Sequence, residues 1–125
     1  MIFFDTGAFL ARHIASDPYH LEAVGSWAQL SKAGTPCFTR NFVLDETFTL
    51  LARRAGAAFA IERARNILSS ETMTILRPGH EDELSATDDF EKLADQDVSV
   101  TDCVSFTLMR RAKLQRAFTL DAHFR

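Results

Sequence analysis

The chain has 125 residues, of which 46% are apolar and 25% are charged, and its formal net charge is −3. This composition is ordinary for one soluble globular domain over residues 1–125. No stretch has the roughly 18 uninterrupted apolar residues of a membrane span, and no basic-then-apolar signal segment opens the chain, so a cytoplasmic protein is expected.

The first predicted element is a short buried strand that begins at the N-terminus. The apolar run Met1-Ile2-Phe3-Phe4 breaks at Asp5, and Thr6-Gly7 then leads into a helical pattern. One face of this helix carries Phe9, Leu10, His13 and Ile14. Because open α/β sheets bind ligands just outside the carboxyl ends of their strands, Asp5 is a candidate functional residue. Capping of the next helix is the alternative role for this carboxylate.

A second helix and a second strand follow. Asp17 is predicted to be the N-cap of the helix and Pro18 its first residue. The inward stripe of this helix is predicted to consist of Leu21, Val24 and Ala28. Residues 31–34, which end in a glycine, stop the helix, and residues 35–39 are predicted to form the strand.

The third predicted helix is strongly apolar and carries an acidic pair near its start. It runs from Asn41 to Arg54 and stops at Gly56, a suitable C′ residue after a basic last turn. Asp45 and Glu46 fall in its first turns. The spacing predicts a fourth helix whose inward residues are Ala60, Ala64, Ile67 and Leu68.

The second half of the chain adds two strands on either side of an acidic helix and a further helix. Residues 73–76 are predicted to form the third strand and residues 117–120 the fourth, which ends at Asp121. Two helical patterns lie between these strands, and the second begins after Ser99-Val100-Thr101-Asp102. Their inward residues are Ala86, Phe90 and Leu93 in the acidic helix and Val104, Leu108, Met109 and Ala112 in the next.

The charge of the chain is unevenly distributed. Eight of its 17 acids but only one base lie between Glu81 and Asp97, so the rest of the chain, with nine acids and 13 bases, has a net charge of +4. A basic body beside an acidic face can still bind a polyanion, because the local field matters more than the total charge. The acidic segment itself is more simply explained as the solvated face of a helix.

Strands that alternate with helical patterns, without tight hairpin signals, predict βαβ units and a parallel sheet. We therefore expect one three-layer α/β/α sandwich with a short central parallel sheet. In such a sheet all strands end at one edge, and every crossover helix begins there. Asp5 and Asp121 end strands, and Glu46 and Asp102 lie near helix starts. The topology should therefore bring these four acids to one rim, at the topological switch point.

Four carboxylates at one rim require a counter-ion. Two carboxylates about 4 Å apart repel by about 4 kcal/mol at an effective dielectric constant near 20. No lysine stands near any of the four in the sequence, so a divalent cation is the economical explanation, and all-oxygen ligation suits Mg²⁺ or Mn²⁺. Such ions activate water and hold phosphate oxygens for in-line attack. The alternative is four separate helix caps and surface acids. A zinc site is not expected, because the cysteines and histidines lack its spacing.

Four stretches that contain these acids stand out in order along the chain. They are Phe3-Phe4-Asp5-Thr6, Val43-Leu44-Asp45-Glu46-Thr47, Ser99-Val100-Thr101-Asp102-Cys103-Val104-Ser105-Phe106 and Phe118-Thr119-Leu120-Asp121-Ala122-His123-Phe124. Together they resemble the motifs of the PIN-domain family, and most of all its VapC-type toxins. Each stretch is weak alone, but the four in this order, over the whole chain, are specific. Family members usually continue past the last motif, so this chain is expected to be a short member or to lack a final C-terminal segment.

The resemblance implies a metal-dependent ribonuclease with a PIN-like fold. Its acidic constellation, catalytic and metal-holding, would consist of Asp5, Glu46, Asp102 and Asp121. The resemblance favours Glu46 over Asp45, a choice that periodicity leaves open. Asp97, just before the third motif, is a candidate for an extra ligand or for a contact to a metal-bound water, with a solvated acid as the alternative. Thr6 and Thr101 are candidates for hydroxyls that orient carboxylates, although helix capping explains either equally well.

The resemblance further implies an RNA substrate, cut to leave 5′-phosphate and 3′-hydroxyl ends, and a cognate antitoxin as partner. Phosphate contacts supply most non-specific affinity for nucleic acid. The candidate RNA-contacting residues are Arg12, Arg53, Arg54, Arg110 and Arg111, each of which is otherwise a solvated helix residue. A homodimer is also implied, and the apolar early helices, with Phe9 and Trp27, could serve it, although such residues are more often core.

Two other classes of function remain open from the sequence. The chain could be a non-catalytic binding module whose acidic rim accepts a basic partner peptide, and such a module need not bind Mn²⁺ at the rim. A receiver-type phosphoacceptor also carries acids at strand ends. It normally needs a strand-end lysine to hold the phosphoryl group, and the last predicted strand ends on Asp121 instead.

Overall fold

The computed structural model describes residues 1–113 and the backbone of residues 116–118. The elements in chain order are β1 (Ile2–Phe4), α1 (Thr6–His13), α2 (His20–Ala33), β2 (Cys37–Arg40), α3 (Asn41–Ala55), α4 (Ala57–Leu68), β3 (Met73–Leu76), α5 (His80–Leu93), a 3₁₀ turn (Ala94–Gln96), α6 (Val100–Arg111) and β4 (Arg116–Phe118). The predicted alternation of strands and helices is therefore confirmed. Within the described ranges, no helix combines the length and the apolarity that a bilayer crossing requires.

The sheet is parallel throughout, with the strand order β3-β2-β1-β4. The chain moves outward from β1 to β3 and then returns to β4 on the far side of β1. The topological switch point thus lies between β1 and β4, and the crevice at their carboxyl ends is where open α/β sheets bind ligands. Ile2, Phe3 and Phe4 are all buried, because a central strand is covered on both faces.

The helices form two layers, one on each face of the sheet. The crossovers from β1 to β2 and from β2 to β3 proceed in one direction, so right-handed connections place α1 to α4 on one face. The return to β4 places α5 and α6 on the other. The packing agrees, since α1 contacts α2 and α3, α3 contacts α4, and α5 contacts α6. The predicted three-layer α/β/α sandwich is confirmed.

The second helix begins later than predicted. α2 starts at His20 rather than at Pro18. The reason is a turn held by Asp17, whose carboxylate accepts a hydrogen bond from the Tyr19 N–H at 2.9 Å and whose carbonyl accepts one from the His20 N–H at 3.0 Å. Asp17 therefore stabilises the approach to α2 and does not cap the helix.

The predicted inward stripe of α2 was wrong. Leu21, the first residue of that stripe, is 85% exposed, whereas Ala23 is buried. The helix is oriented by Trp27, whose ring lies edge-on to Phe4 with 4.7 Å between centroids and 5.7 Å from the ring of Phe9. The indole is the largest side chain of α2, and its contacts with two core rings decide which face of the helix turns inward. Phe9 is fully buried, so it belongs to the core and offers no dimer surface.

Strand boundaries differ slightly from the prediction. β3 coincides with its predicted range, while β2 begins and ends later than predicted. Residues 117 and 118 of the final predicted strand lie in β4, whereas residues 119–121, Asp121 among them, lie outside the described residues.

Candidate active site

Asp5 lies at the carboxyl end of β1, beside the topological switch point. It is 7% exposed, and its Oδ1 accepts a hydrogen bond from the Ala8 N–H at 3.0 Å as the N-cap of α1. The carboxylate therefore caps the helix and also sits at the sheet edge where ligands bind. The two roles foreseen for Asp5 are compatible.

Glu46 is joined directly to the end of β1. The Thr6 hydroxyl donates a hydrogen bond to Glu46 Oε1 at 2.5 Å, across 40 residues of sequence. Because Thr6 follows Asp5 and begins α1, this contact places the Glu46 carboxylate at the same sheet edge. The first and second sequence motifs meet there.

Asp102 is the third residue of α6 and forms a capping box with Ser99. The Asp102 N–H donates to Ser99 Oγ at 3.0 Å, and the Ser99 N–H donates to Asp102 Oδ2 at 3.4 Å. This reciprocal pair fixes the Asp102 carboxylate at the first turn of the helix. Asp97 is exposed and ends the preceding 3₁₀ turn in the left-handed region, with φ of 55°.

Arg40 is a site residue that the sequence reasoning missed. It ends β2, is only 5% exposed, and its Nη1 donates to the Thr101 carbonyl at 3.0 Å and to Ser105 Oγ at 3.4 Å. Burial lowers the pKa of Arg40. The β1–β2 register pairs Phe3 with Phe38, so Asp5 and Arg40 each stand two residues beyond a paired position, at the carboxyl ends of adjacent strands.

Arg40 therefore ties the end of β2 to the first turn of α6, which carries Asp102. Two buried atoms at this strand end, Arg40 Nε and Asn41 Oδ1, have no hydrogen-bond partner among the described residues. The available signal in the sequence was a basic residue directly at a strand end, in front of the helix that carries Glu46.

The candidate acids of the described chain do not by themselves form a complete metal-binding site. In residues 1–113 and 116–118, no group of three or more His, Cys, Asp or Glu side chains is placed to hold a metal ion. The fourth predicted acid, Asp121, lies outside this part of the chain, so the four-acid constellation stays a prediction. The donor chemistry does fit a divalent ion, because carboxylates and the Asn41 amide oxygen offer oxygen ligands, which Mg²⁺ and Mn²⁺ prefer.

Two of the arginines predicted to contact RNA pair with the acidic helix. Arg110 binds Asp89, with 2.6 Å between Nη2 and Oδ2, and Arg111 pairs with Asp82. The acidic segment is thus a largely exposed helix face, as the sequence analysis predicted. Two of its carboxylates, however, pair with arginines of α6.

The other three candidate arginines lie away from the acids. Arg53 and Arg54 are exposed in the last turn of α3, roughly 10 Å along the helix from Glu46 at 1.5 Å per residue. The Arg12 guanidinium lies 5.8 Å from the centre of the Trp27 ring. RNA that contacts these residues would have to extend well beyond the acidic edge.

The sequence profile of the PIN domain matches residues 2–125, and the chain belongs to the PIN-domain family. It is similar to the 23S rRNA-specific endonuclease VapC20 of Mycobacterium tuberculosis, in strains CDC 1551 and H37Rv. Each is 34% identical over 132 residues, which cover 99% of this chain and 92% of the relative. The crystal structure of Mycobacterium tuberculosis VapC20, described as a sarcin–ricin loop cleaving toxin, matches with a TM-score of 0.88 at 31% identity, over 99% of this chain and 92% of that one. The family resemblance seen in the motifs is confirmed.

Proposed function

We propose that this chain is an endoribonuclease dependent on Mg²⁺ or Mn²⁺ and the toxin of a toxin–antitoxin pair. The observation that carries the proposal is the hydrogen bond between Thr6 and Glu46, because it joins two family motifs at the edge where the strand order reverses. Similarity over almost the whole chain to a named 23S rRNA endonuclease supports the same conclusion.

The proposed substrate is RNA of the large ribosomal subunit, which implies action in the cytoplasm. The sarcin–ricin loop is the first segment to test, because the similar crystal structure is that of a toxin that cleaves it. The proposed partners are a cognate antitoxin, whose basic segment would complement the acidic edge, and a second copy of the chain.

The proposed reaction is hydrolysis of a phosphodiester bond. The oxygen of a water molecule adds to phosphorus, the bond to the 3′ oxygen breaks, and that oxygen takes up a proton to replace the one the water loses, which leaves 5′-phosphate and 3′-hydroxyl ends. A divalent ion would supply activation of the water and neutralisation of the phosphate charge. The residues proposed to hold it are Asp5, Glu46, Asp102 and Asp121, with Asp97 as a candidate for a further contact.

The chain's own contacts would prepare these carboxylates for the reaction. The Thr6 hydroxyl holds Glu46, the Ser99 N–H holds Asp102, and Arg40 fixes the turn from which Asp102 projects. Hydrogen bonds of this kind orient metal ligands and keep them from turning away. For Thr101 the contact made is that of its carbonyl with Arg40, and its hydroxyl remains a candidate for orienting a carboxylate.

The test is cleavage of purified ribosomes and of total RNA with Mg²⁺ or Mn²⁺, with the cut ends mapped by primer extension. Asp5→Asn should abolish cleavage, and Glu46→Gln should reduce its rate by at least about 100-fold, because each removes a charged ligand. Asp45→Asn is the matched control, since it removes the neighbouring carboxylate of the same helix. It should cut within about twofold of the wild-type rate.

Two outcomes would overturn the proposal. The first is cleavage by Asp5→Asn at the wild-type rate, with contaminating nuclease excluded by a mock purification. The second is binding of a basic antitoxin peptide without any cleavage of RNA at any divalent-metal concentration, which would identify a non-catalytic binding module.

A further inference from the structure

A small pocket lies between α1, α2 and α4, apart from the acidic edge. Its volume is about 160 Å³, and it is lined by His13 of α1, by Trp27 of α2 and by Arg63, Asn66 and Ile67 of α4. His13 ends α1, so the pocket lies roughly 10 Å along that helix from Thr6. We refer to it as the His13 pocket. None of the residues proposed for RNA hydrolysis lines it.

The pocket collects polar atoms that lack hydrogen-bond partners. Among the described residues, five buried side-chain nitrogens and oxygens have no partner, and three of them are His13 Nε2, Trp27 Nε1 and Arg63 Nε. Buried polar groups are nearly always paired in folded proteins, so such a concentration requires an explanation. All three atoms are nitrogens, and the indole and guanidinium nitrogens can only donate.

The protonation state of His13 adds to this set of donors. Burial, with smaller effects from Arg12, Arg63 and His20, lowers the pKa of His13 to about 4. The ring is therefore neutral near pH 7, and in one tautomer its Nε2 carries the hydrogen. The smaller effects of Arg12 and Arg63 place positive charge close to the ring.

The Arg63 guanidinium lies over the Phe59 ring, 4.7 Å from its centre, and its charge is not held by a close ion pair among the described residues. Its nearest carboxylate, Glu62, lies 3.8 Å from Nη1 and is largely exposed, so this pair is weak. No acidic residue of the described chain lines the pocket. The hydroxyls of Ser70 and Thr72, which do line it, hydrogen bond to each other at 3.0 Å.

We propose that the His13 pocket binds a phosphate-class oxyanion, either free or as part of a phosphate ester such as the RNA backbone. Arg63 would supply the charge, and the N–H groups of Trp27 and His13 would supply neutral donors. Phosphate oxygens accept several hydrogen bonds at once, which matches a pocket that offers donors and no carboxylate. The pocket shares Trp27, Thr72 and Met73 with a neighbouring groove of about 470 Å³, so a larger molecule that bears the oxyanion has room.

Trp27 gives a direct test, because it is the only tryptophan in the chain. Its fluorescence, excited at the red edge of indole absorption, is followed while inorganic phosphate is added in EDTA at constant ionic strength. Wild-type protein should show a saturable change. Arg63→Gln should weaken binding about tenfold or more, because it removes the charge. Arg65→Gln, an exposed arginine on the same helix, is the control and should bind like wild type.

A second variant distinguishes a loss of phosphate binding from a loss of folding. His13→Phe retains a ring beside Trp27 but removes the nitrogen, so it should weaken phosphate binding by less than Arg63→Gln does. Thermal unfolding by circular dichroism establishes that each variant is folded at the temperature of the titration.

A parallel titration with a short single-stranded RNA in EDTA distinguishes the source of the oxyanion. If only RNA gives a saturable, Arg63-dependent change in fluorescence, the pocket binds a backbone phosphate. If inorganic phosphate also gives such a change, the pocket binds the free ion. The proposal is overturned if neither ligand gives a saturable change, if chloride produces the same change, or if Arg63→Gln and Arg65→Gln bind equally well.

Discussion

Arg40 is a buried cation whose two hydrogen-bond acceptors are neutral oxygens, the Thr101 carbonyl and the Ser105 hydroxyl. A buried charge of this kind is costly to desolvate, and its contribution to stability is small or negative when compared with an apolar side chain of similar size. We therefore expect Arg40 to serve chiefly to hold two segments of the chain in place relative to each other. It connects the end of β2 to the turn of α6 that presents Asp102.

Arg40→Met should separate the contribution of Arg40 to stability from its contribution to the position of Asp102. The free energy of unfolding should change by less than about 1 kcal/mol, or rise, because methionine fills much of the same space without a charge. RNA cleavage should fall about tenfold, because the first turn of α6 loses its tether. Urea unfolding and the cleavage rate measure the two effects. An unchanged rate would show that Asp102 needs no support from Arg40.

His13 makes the stability depend on pH. The unfolded chain binds a proton at His13 below about pH 6.5, whereas the folded protein does so only below about 4. Between these values the unfolded state holds more protons, so stability falls as pH falls, by at most about 1.4 kcal/mol per pH unit from this residue.

His13→Phe should therefore flatten the dependence of unfolding free energy on pH between about 6.5 and 4. Urea unfolding at several pH values in this window measures the slope. His80→Gln, at an exposed position, serves as the control and should retain the wild-type slope. Equal slopes in His13→Phe and wild type would mean that the ring is not buried in its neutral form.

At the scale of elements, apolar burial and ion pairs both join α5 to α6. Leu108 is fully buried in the cluster that includes Ala86 and Cys103, while Arg110 and its partner Asp89 meet near the surface. Leu108→Ala should lower the free energy of unfolding by about 2–5 kcal/mol. Arg110→Gln should lower it by less than about 1 kcal/mol, and by less still in high salt.

Urea unfolding of both variants at low and high salt tests this ranking. A larger loss for Arg110→Gln than for Leu108→Ala would show that ion pairs dominate the contact between the two helices.

The elements that could be predicted are those whose signals are local. The third helix has an apolar face, a basic last turn and Gly56 at its end, and β3 is bounded by polar turns. The face of α2 could not be predicted in this way, because it depends on the packing of Trp27 against Phe4 and Phe9. Tertiary contacts of one large side chain outweighed the periodicity of smaller ones.

The site was predictable to the extent that it follows from topology. A parallel sheet places the ends of β1 and β2 at one edge, which predicted that the segments of Asp5 and Glu46 meet there, as the Thr6–Glu46 hydrogen bond shows. The shared site of the four acids stays a prediction. Arg40 was missed because an arginine at a strand end has no distinctive spacing. The His13 pocket could not be foreseen, since its three donors are far apart in sequence. The only hint was a histidine on the apolar face of the first helix.

At the scale of the whole molecule, the account depends on crossovers that return distant segments to one edge of one sheet. The strand order places Asp5 at the switch point, the Thr6–Glu46 hydrogen bond brings α3 to it, and Arg40 brings α6. This convergence is what would make a shared divalent ion both necessary and possible. Metal affinity should therefore depend on carboxylates from separate elements.

Titration of Mn²⁺ into the purified protein by calorimetry tests this claim most directly. Wild type and Asp45→Asn should bind Mn²⁺ with equal affinity, whereas Asp5→Asn and Glu46→Gln should each bind it at least about tenfold more weakly. Unchanged Mn²⁺ affinity in both Asp5→Asn and Glu46→Gln, in proteins that remain folded, would contradict the account.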